Sequence, residues 1–215
     1  MKAKKGPQII ALAATKGGVG KSTLSAILSV RASEESKRVA LIDADAGQNS
    51  LARWWQLRGE PKNPKLIGAE CTPETLGLLS AGNYEWLFID TPPRGVDEIS
   101  QAVSVSDFVL IPTRPSALDV EAVDQVVEIC RLYDTPFAFV INAAEPRWTL
   151  TREARNYLTD YGTVIDRWIT YRRAYVAAMT LGKTGPEYEK DGKCREEVDA
   201  LWGTVKLLAQ KAMGR

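Results

Sequence analysis

Thr15-Lys16-Gly17-Gly18-Val19-Gly20-Lys21-Ser22-Thr23 is the stretch that decides the fold of this 215-residue chain. A phosphate-binding loop reads G-x-x-x-x-G-K-[ST]. Its backbone N–H groups cradle phosphates, the lysine reaches the outer ones and the hydroxyl sits on Mg2+. Gly20, Lys21 and Ser22 meet that pattern, and Thr15 stands where the first glycine belongs. Lys16 is a second cation that the cradle itself does not need, so its charge requires a separate explanation.

The flanks supply the context that the motif requires. Residues 8–14 are short and apolar, as a buried parallel strand should be. Residues 22–32 carry Leu24, Ile27 and Leu28 without glycine or proline, so a helix begins at the loop and aims its N-terminus at the phosphates. Further apolar runs at 38–42, 86–89, 108–111 and 137–141 alternate with expected helices at 50–57, 73–81, 96–104, 117–133, 151–161, 173–180 and 195–213. Strands alternating with helices imply crossover units. The expected fold class is α/β: a three-layer sandwich with a mostly parallel twisted sheet and helices on both faces, as in P-loop NTPases. Residues 182–193, rich in glycine and charge, read as a surface loop. No linker divides the chain, so 1–215 is expected to be a single domain with no room at either end for a separate DNA-reading module.

Composition narrows the function. The hydrophobic fraction of 45% and the charged fraction of 26% are those of an ordinary soluble globule. Without a run of 18 apolar residues or a signal-peptide pattern, a cytoplasmic location is expected. Cys71, Cys130 and Cys194 lie far apart and read as incidental thiols of a reducing compartment. Histidine is absent, which removes the commonest general base and the commonest metal ligand together and leaves proton chemistry to carboxylates or water. The net charge of +1 conceals a basic region. From Arg147 to Lys183 there are seven basic residues (Arg147, Arg152, Arg155, Arg167, Arg172, Arg173, Lys183) against three acidic ones (Glu153, Asp160, Asp166).

Two acidic positions end strands, where open α/β sheets place their ligands. Asp90 closes Trp86-Leu87-Phe88-Ile89-Asp90, the pattern of a strand whose aspartate holds Mg2+, often through water. Asp43 and Asp45 close Val39-Ala40-Leu41-Ile42-Asp43-Ala44-Asp45.

With these residues assembled, the chain resembles the ParA/MinD superfamily of deviant Walker A ATPases, and within it the short ParA proteins of the ParF type used in plasmid partition. The residues that carry the resemblance are Lys-Gly-Gly-Val-Gly-Lys-Ser at 16–22, Asp-Ala-Asp at 43–45, Ile-Asp-Thr-Pro-Pro at 89–93, Leu-Ile-Pro-Thr-Arg-Pro-Ser at 110–116 followed by Leu118-Asp119, and Ile-Thr-Tyr-Arg-Arg-Ala-Tyr at 169–175.

The resemblance implies an ATPase that is weak alone and stimulated by a partner, with ATP and Mg2+ as cofactors. Lys16 is then the signature lysine, which crosses a homodimer interface to the phosphates held by the other subunit, and Lys21 serves its own nucleotide. Asp45 matches the position that orients the attacking water, and Asp43 lies alongside near the γ-phosphate and Mg2+. The metal set is Ser22, Asp43 and Asp90. The nucleotide set is Lys16, Gly17, Gly18, Val19, Gly20, Lys21, Ser22, Thr23 and, at the base, Asn142. The family's Asp-Pro-Gln is replaced here by Asp45-Ala46-Gly47-Gln48, one residue longer. Arg94, just past Asp90, falls in the second switch, and Pro112 with Arg114-Pro115-Ser116 shapes the nucleotide rim.

Relatives lacking a DNA-reading domain bind nonspecific DNA as ATP dimers through basic C-terminal residues. Arg172, Arg173, Arg167 and Lys183 are the candidates here, through salt-dependent phosphate contacts. The implied partner is a ParB-like or ribbon-helix-helix centromere-binding protein, and the implied location is the nucleoid. MinD-like relatives attach to membranes through a C-terminal amphipathic helix. The stripe Val198, Leu201, Trp202, Val205, Leu208, Ala209 and Ala212 is instead expected to cover the sheet, which makes a membrane partner disfavoured. A MinD-like or cargo-positioning ATPase is the alternative, and a dethiobiotin-synthetase-like ligase is a weaker one.

Overall fold

A computed structural model describes residues 6–36, 38–45, 47–67, 83–145, 148–189 and 191–214. Among these residues seven strands form one sheet, β1 (Gln8–Leu12), β2 (Val39–Asp43), β3 (Lys65–Ile67), β4 (Trp86–Asp90), β5 (Phe108–Thr113), β6 (Phe137–Ala144) and β7 (Ile169–Thr170), in the order β3-β2-β4-β1-β5-β6-β7. Every recorded pairing is parallel. The helices are α1 (Lys21–Ser33), α2 (Ser50–Leu57), α3 (Val96–Val105), α4 (Ala117–Glu121), α5 (Asp124–Leu132), α6 (Thr149–Thr159), α7 (Arg173–Met179), α8 (Gly185–Tyr188) and α9 (Lys193–Met213).

The strand alternation builds two cores. Ile10, Leu12, Leu41 and Phe88 face α1, α2 and α9, and Ile9, Ala11, Ile42, Leu87 and Ile89 face α3, α5 and α6. Because β1 and β4 are covered on both faces, they read as unbroken apolar runs instead of alternating ones. Val198, Leu201, Trp202, Val205 and Ala209 of the last helix are buried, with the Trp202 ring edge-on to Trp86 at 4.8 Å. That apolar stripe therefore covers the sheet, as expected.

Four elements depart from the sequence expectation. The helix expected at 117–133 divides into α4 and α5 at Ala122 and Val123, where Thr15 Oγ1 donates to Ala122 O at 3.0 Å. The segment read as a loop contains α8, closed by a capping box of Thr184 and Glu187 with a proline in its first turn. β3 and β7, of 3 and 2 residues, are too short to show a period. The expected helix at 73–81 and Cys71 lie outside the described residues. Cys130 and Cys194 are both buried free thiols.

Candidate nucleotide site

The site forms where three strands end together. The register sets Asp43 beside Asp90 across β2–β4 and Leu12 beside Asp90 across β1–β4, so the loop leaving β1 passes both carboxylates. Gly18 and Gly20 hold φ of +75° and +99°, the left-handed region where a Cβ is costly. Gly20 is also a close approach. A Cβ there would stand 2.0 Å from Asn142 Nδ2, which donates to Val19 O at 2.7 Å. Asn142 was expected at the base, and in this form its amide group braces the turn that opens α1.

A cleft of about 230 Å3 is lined by Gly17, Gly18, Gly20, Lys21, Ser22, Thr23, Asp45, Gln48, Ser50, Pro93 and Met179. Most of the loop residues read from the motif line it, together with Asp45. Gln48 and Pro93 belong to quoted motifs without an assigned role, whereas Ser50 and Met179 carry no motif signal and reach the cleft only through the fold. Gln48 lines the cleft despite the extra residue before it, and its N–H donates to Asp45 Oδ1 at 3.1 Å.

The charges in this space are tightly constrained. Lys21 is buried and donates to Ala14 O at 3.1 Å and Lys16 O at 3.2 Å. Burial lowers its pKa, against the opposing pull of Asp90 and Asp45. Asp43 accepts from Ala52 N at 2.9 Å and Asp45 N at 3.2 Å. Burial still raises its carboxyl above the usual range.

Asp90 is only 1% exposed, and both of its oxygens are buried without a hydrogen-bond partner. Burial pushes its carboxyl up to about 7, with Asp43 and Asp45 adding to the rise. The Ser22 hydroxyl and Lys21 lie near enough to pull it back down, though Ser22 does not close a hydrogen bond.

Two orphaned carboxylate oxygens beside a serine hydroxyl make a hard-oxygen environment that fits Mg2+. Among the described residues no three His, Cys, Asp or Glu side chains form a metal cluster. Mg2+ takes one or two carboxylates and completes its shell with phosphate and water.

Lys16 is not among the residues lining the cleft of its own loop. Its Nζ pairs with Asp119 Oδ1 at 2.7 Å, and Asp119 is held in turn by the Ser116 hydroxyl at 2.8 Å. Nothing local in the sequence links positions 16 and 119, so the motif that contains Asp119 assigns it no role. Arg94 is exposed, with φ +66°, and its N–H donates to Thr15 O at 3.0 Å.

The basic candidates separate by partner. Arg172 forks onto Glu197 Oε1 at 3.1 and 2.7 Å, and Tyr175 donates to the other oxygen of Glu197. Arg155 is paired with Asp166. Arg167, Arg173 and Lys183 are exposed, with no side-chain partner recorded among the described residues. Arg147 lies outside the described residues.

A parallel sheet with a left-handed glycine turn, an invading lysine and an orphaned strand-end carboxylate is the nucleotide site of a P-loop protein. The chain belongs to the family described as the CobQ/CobB/MinD/ParA nucleotide binding domain, whose model matches residues 10–184. It is 30% identical over 190 residues to the maintenance of carboxysome distribution protein A of Halothiobacillus neapolitanus, covering 82% of this chain and 87% of that protein. It is likewise 30% identical over 211 residues to the protein of the same name from Gloeobacter kilaueensis, covering 91% and 96%. The fold matches a putative plasmid partition protein of Borrelia burgdorferi bound to AMPPNP, with a TM-score of 0.73 and 22% identity over 93% of this chain and 99% of that one.

Proposed function

We propose that this protein is an ATPase that dimerises on ATP, binds nonspecific DNA as the dimer and releases it when a cargo-bound partner stimulates hydrolysis. The observation that carries the reading is Lys16. Lys21 already supplies the cation that lines this cleft, and a Lys16 offered from each subunit would neutralise phosphate charge that otherwise repels across the junction. Its pairing with Asp119 is the single-chain alternative to that use.

Within the cleft, the N–H groups of 17–20 and Lys21 hold the phosphates. Asp45, already fixed through its backbone and its bond to Gln48, orients water for attack. Phosphoryl transfer passes through a loose transition state that needs positioning more than a strong base, so a carboxylate suffices and histidine is not required. Ser22 and Asp90, with Asp43 beside them, would hold Mg2+, which offsets charge on the phosphate oxygens. Arg173, Arg167 and Lys183 are the first candidates for DNA phosphates. Arg172 ranks behind them because its guanidinium already serves Glu197.

The plasmid reading makes the cargo a centromere complex built by a ParB-like or ribbon-helix-helix protein, on the nucleoid in the cytoplasm. A second reading, positioning of a protein assembly by the same cycle, is supported by two full-length relatives named for carboxysome distribution.

The test is a titration of nonspecific duplex DNA with ATP, ADP or no nucleotide, across salt, using wild type, Lys16→Ala and Arg173→Ala/Lys183→Ala. ATP-selective binding that falls with salt and in both variants is expected. Binding indifferent to nucleotide and to both variants overturns the reading. Stimulation of hydrolysis by the product of a neighbouring reading frame separates the two cargoes.

A further inference from the structure

α2 runs between the nucleotide site and the basic C-terminal segment, and it is fastened at both ends. At its start Asp43 Oδ2 accepts from Ala52 N at 2.9 Å, and Asn49 N donates to Asp45 O at 2.9 Å. Both switch carboxylate residues therefore hold the first turn. At its far end Trp54 Nε1 donates to Lys183 O at 3.0 Å. Arg58 Nη1 donates to Gly182 O at 3.1 Å, and its guanidinium forks onto Glu187 at 2.7 and 2.6 Å. That same glutamate caps α8 through Thr184.

There is no slack in the second fastening. Trp54 is 1% exposed, with the Arg58 guanidinium 5.4 Å from its ring centroid. Gly182, at φ +67°, lies so close that a Cβ would meet Arg58 N at 2.3 Å and Leu57 C at 2.4 Å. The segment held this way carries Lys183 and follows α7, which begins at Arg173 and ends at Met179 in the nucleotide cleft. Eight helical residues span about 12 Å, enough to reach from the cleft to the surface as one stiff piece.

We propose that Trp54 and Arg58 are positioning residues that make α2 a lever. Movement of the Asp43–Asp45 segment on nucleotide exchange is transmitted to residues 182–187 and sets the placement of Lys183 and Arg173. This rests on the DNA reading above for its consequence, but not for its mechanics. Packed helices move as rigid bodies between discrete arrangements, so a displacement at one fastened end appears at the other unless the fastening is cut. Arg58→Gln cuts the fork and the carbonyl bond while keeping a polar side chain. Trp54→Phe removes the indole N–H together with the pyrrole part of a buried ring, so its result is read beside Arg58→Gln, which leaves that packing in place.

The experiment follows amide hydrogen exchange of 50–58 and 180–189 with ATP and Mg2+, with ADP and without nucleotide. It is run in wild type, Arg58→Gln, Trp54→Phe and Arg58→Lys, alongside fluorescent-nucleotide affinity and DNA titration. In wild type, ATP is expected to change exchange in both segments. In Arg58→Gln and Trp54→Phe the response of 50–58 persists and nucleotide affinity stays within about twofold. The response of 180–189 and the ATP-to-ADP ratio of DNA affinities fall by about tenfold, the equivalent of one charge-assisted hydrogen bond. Arg58→Lys keeps the cation without the fork and falls between. A wild-type response of 180–189 in both cut variants overturns the lever, as does its absence in wild type. A coupled exchange response in a wild type that binds no DNA keeps the lever and refutes the DNA reading instead.

Discussion

Gly20→Ala tests the claim that the loop is shaped by a contact as well as by a backbone angle. At φ +99° an alanine pays roughly 1–2 kcal/mol for the left-handed region. Its Cβ would also stand 2.0 Å from Asn142 Nδ2. The amide must swing away and surrender its 2.7 Å bond to Val19 O, worth about 1 kcal/mol. Lost freedom in the unfolded chain returns roughly 0.4–1 kcal/mol. The net loss of stability is then roughly 1–2.5 kcal/mol, and nucleotide affinity should fall by at least about tenfold because Val19 and Gly20 belong to the cradle.

The assay is a double-mutant cycle of Gly20→Ala and Asn142→Ala, read by urea unfolding and by fluorescent-nucleotide titration. With Asn142 already truncated, the glycine substitution should pay only the backbone term, so its cost should drop by about 1 kcal/mol. Equal costs in the two backgrounds, within about 0.5 kcal/mol, would refute the contact argument. Wild-type nucleotide affinity in Gly20→Ala would refute the cradle itself.

Other perturbations have equally definite outcomes. Lys16→Ala should leave ADP affinity within about threefold while abolishing the ATP-dependent dimer, as measured by light scattering on a sizing column, because the Lys16 side chain is paired with Asp119 and Lys21 is the cation of its own cleft. In EDTA, stability should fall as pH rises from near 4 through about 7. In that window the native Asp90 carboxyl still holds a proton that the unfolded chain has released. Asp90→Asn should flatten the slope, leaving the share of Asp43, and be the more stable protein at pH 8, by a few kcal/mol at most, and it should lose the gain in nucleotide affinity that Mg2+ confers. Urea unfolding at pH 5 and pH 8 reads the stability effect. Thr15→Val should cost about 0.5–1.5 kcal/mol in urea at unchanged m, since Ala122 O loses its donor. Arg172→Ala should lower stability by roughly 1–3 kcal/mol through Glu197 and Tyr175, and it should change DNA affinity less than Arg173→Ala does.

How much could be read before the fold was in view differs sharply between elements. α2 was legible to the residue, and β1, β4 and α9 to within a few residues, because each is a run whose period and end signals are local. α8 was missed although Thr184, Pro186 and Glu187 spell a capping box, since four residues are too few for a period. The break between α4 and α5 had no local signal at all. What meets Ala122 O there is a hydroxyl more than a hundred residues earlier, in the phosphate loop.

The positions of the candidate site were therefore written in the chain. A glycine turn between strand and helix needs particular φ values, and only particular residues supply them, so Lys16 to Thr23, Asp43, Asp45 and Asp90 could be named from spacing alone. Their roles in this form of the molecule depend on neighbours brought from far away. The registers of β2 and β4 set Asp43 beside Asp90, the turn at Ser116 gives Lys16 its Asp119, and β6 delivers Asn142 to the back of Gly20. The basic region shows the difference most clearly. Its excess of charge is countable in the sequence, but which guanidiniums are free is decided by the carboxylates that packing places against them. Glu197 arrives on α9 and takes Arg172, leaving Arg173 to the solvent. Motif spacing is a property of consecutive peptide units, whereas pairing is a property of surfaces that only folding brings within 3 Å.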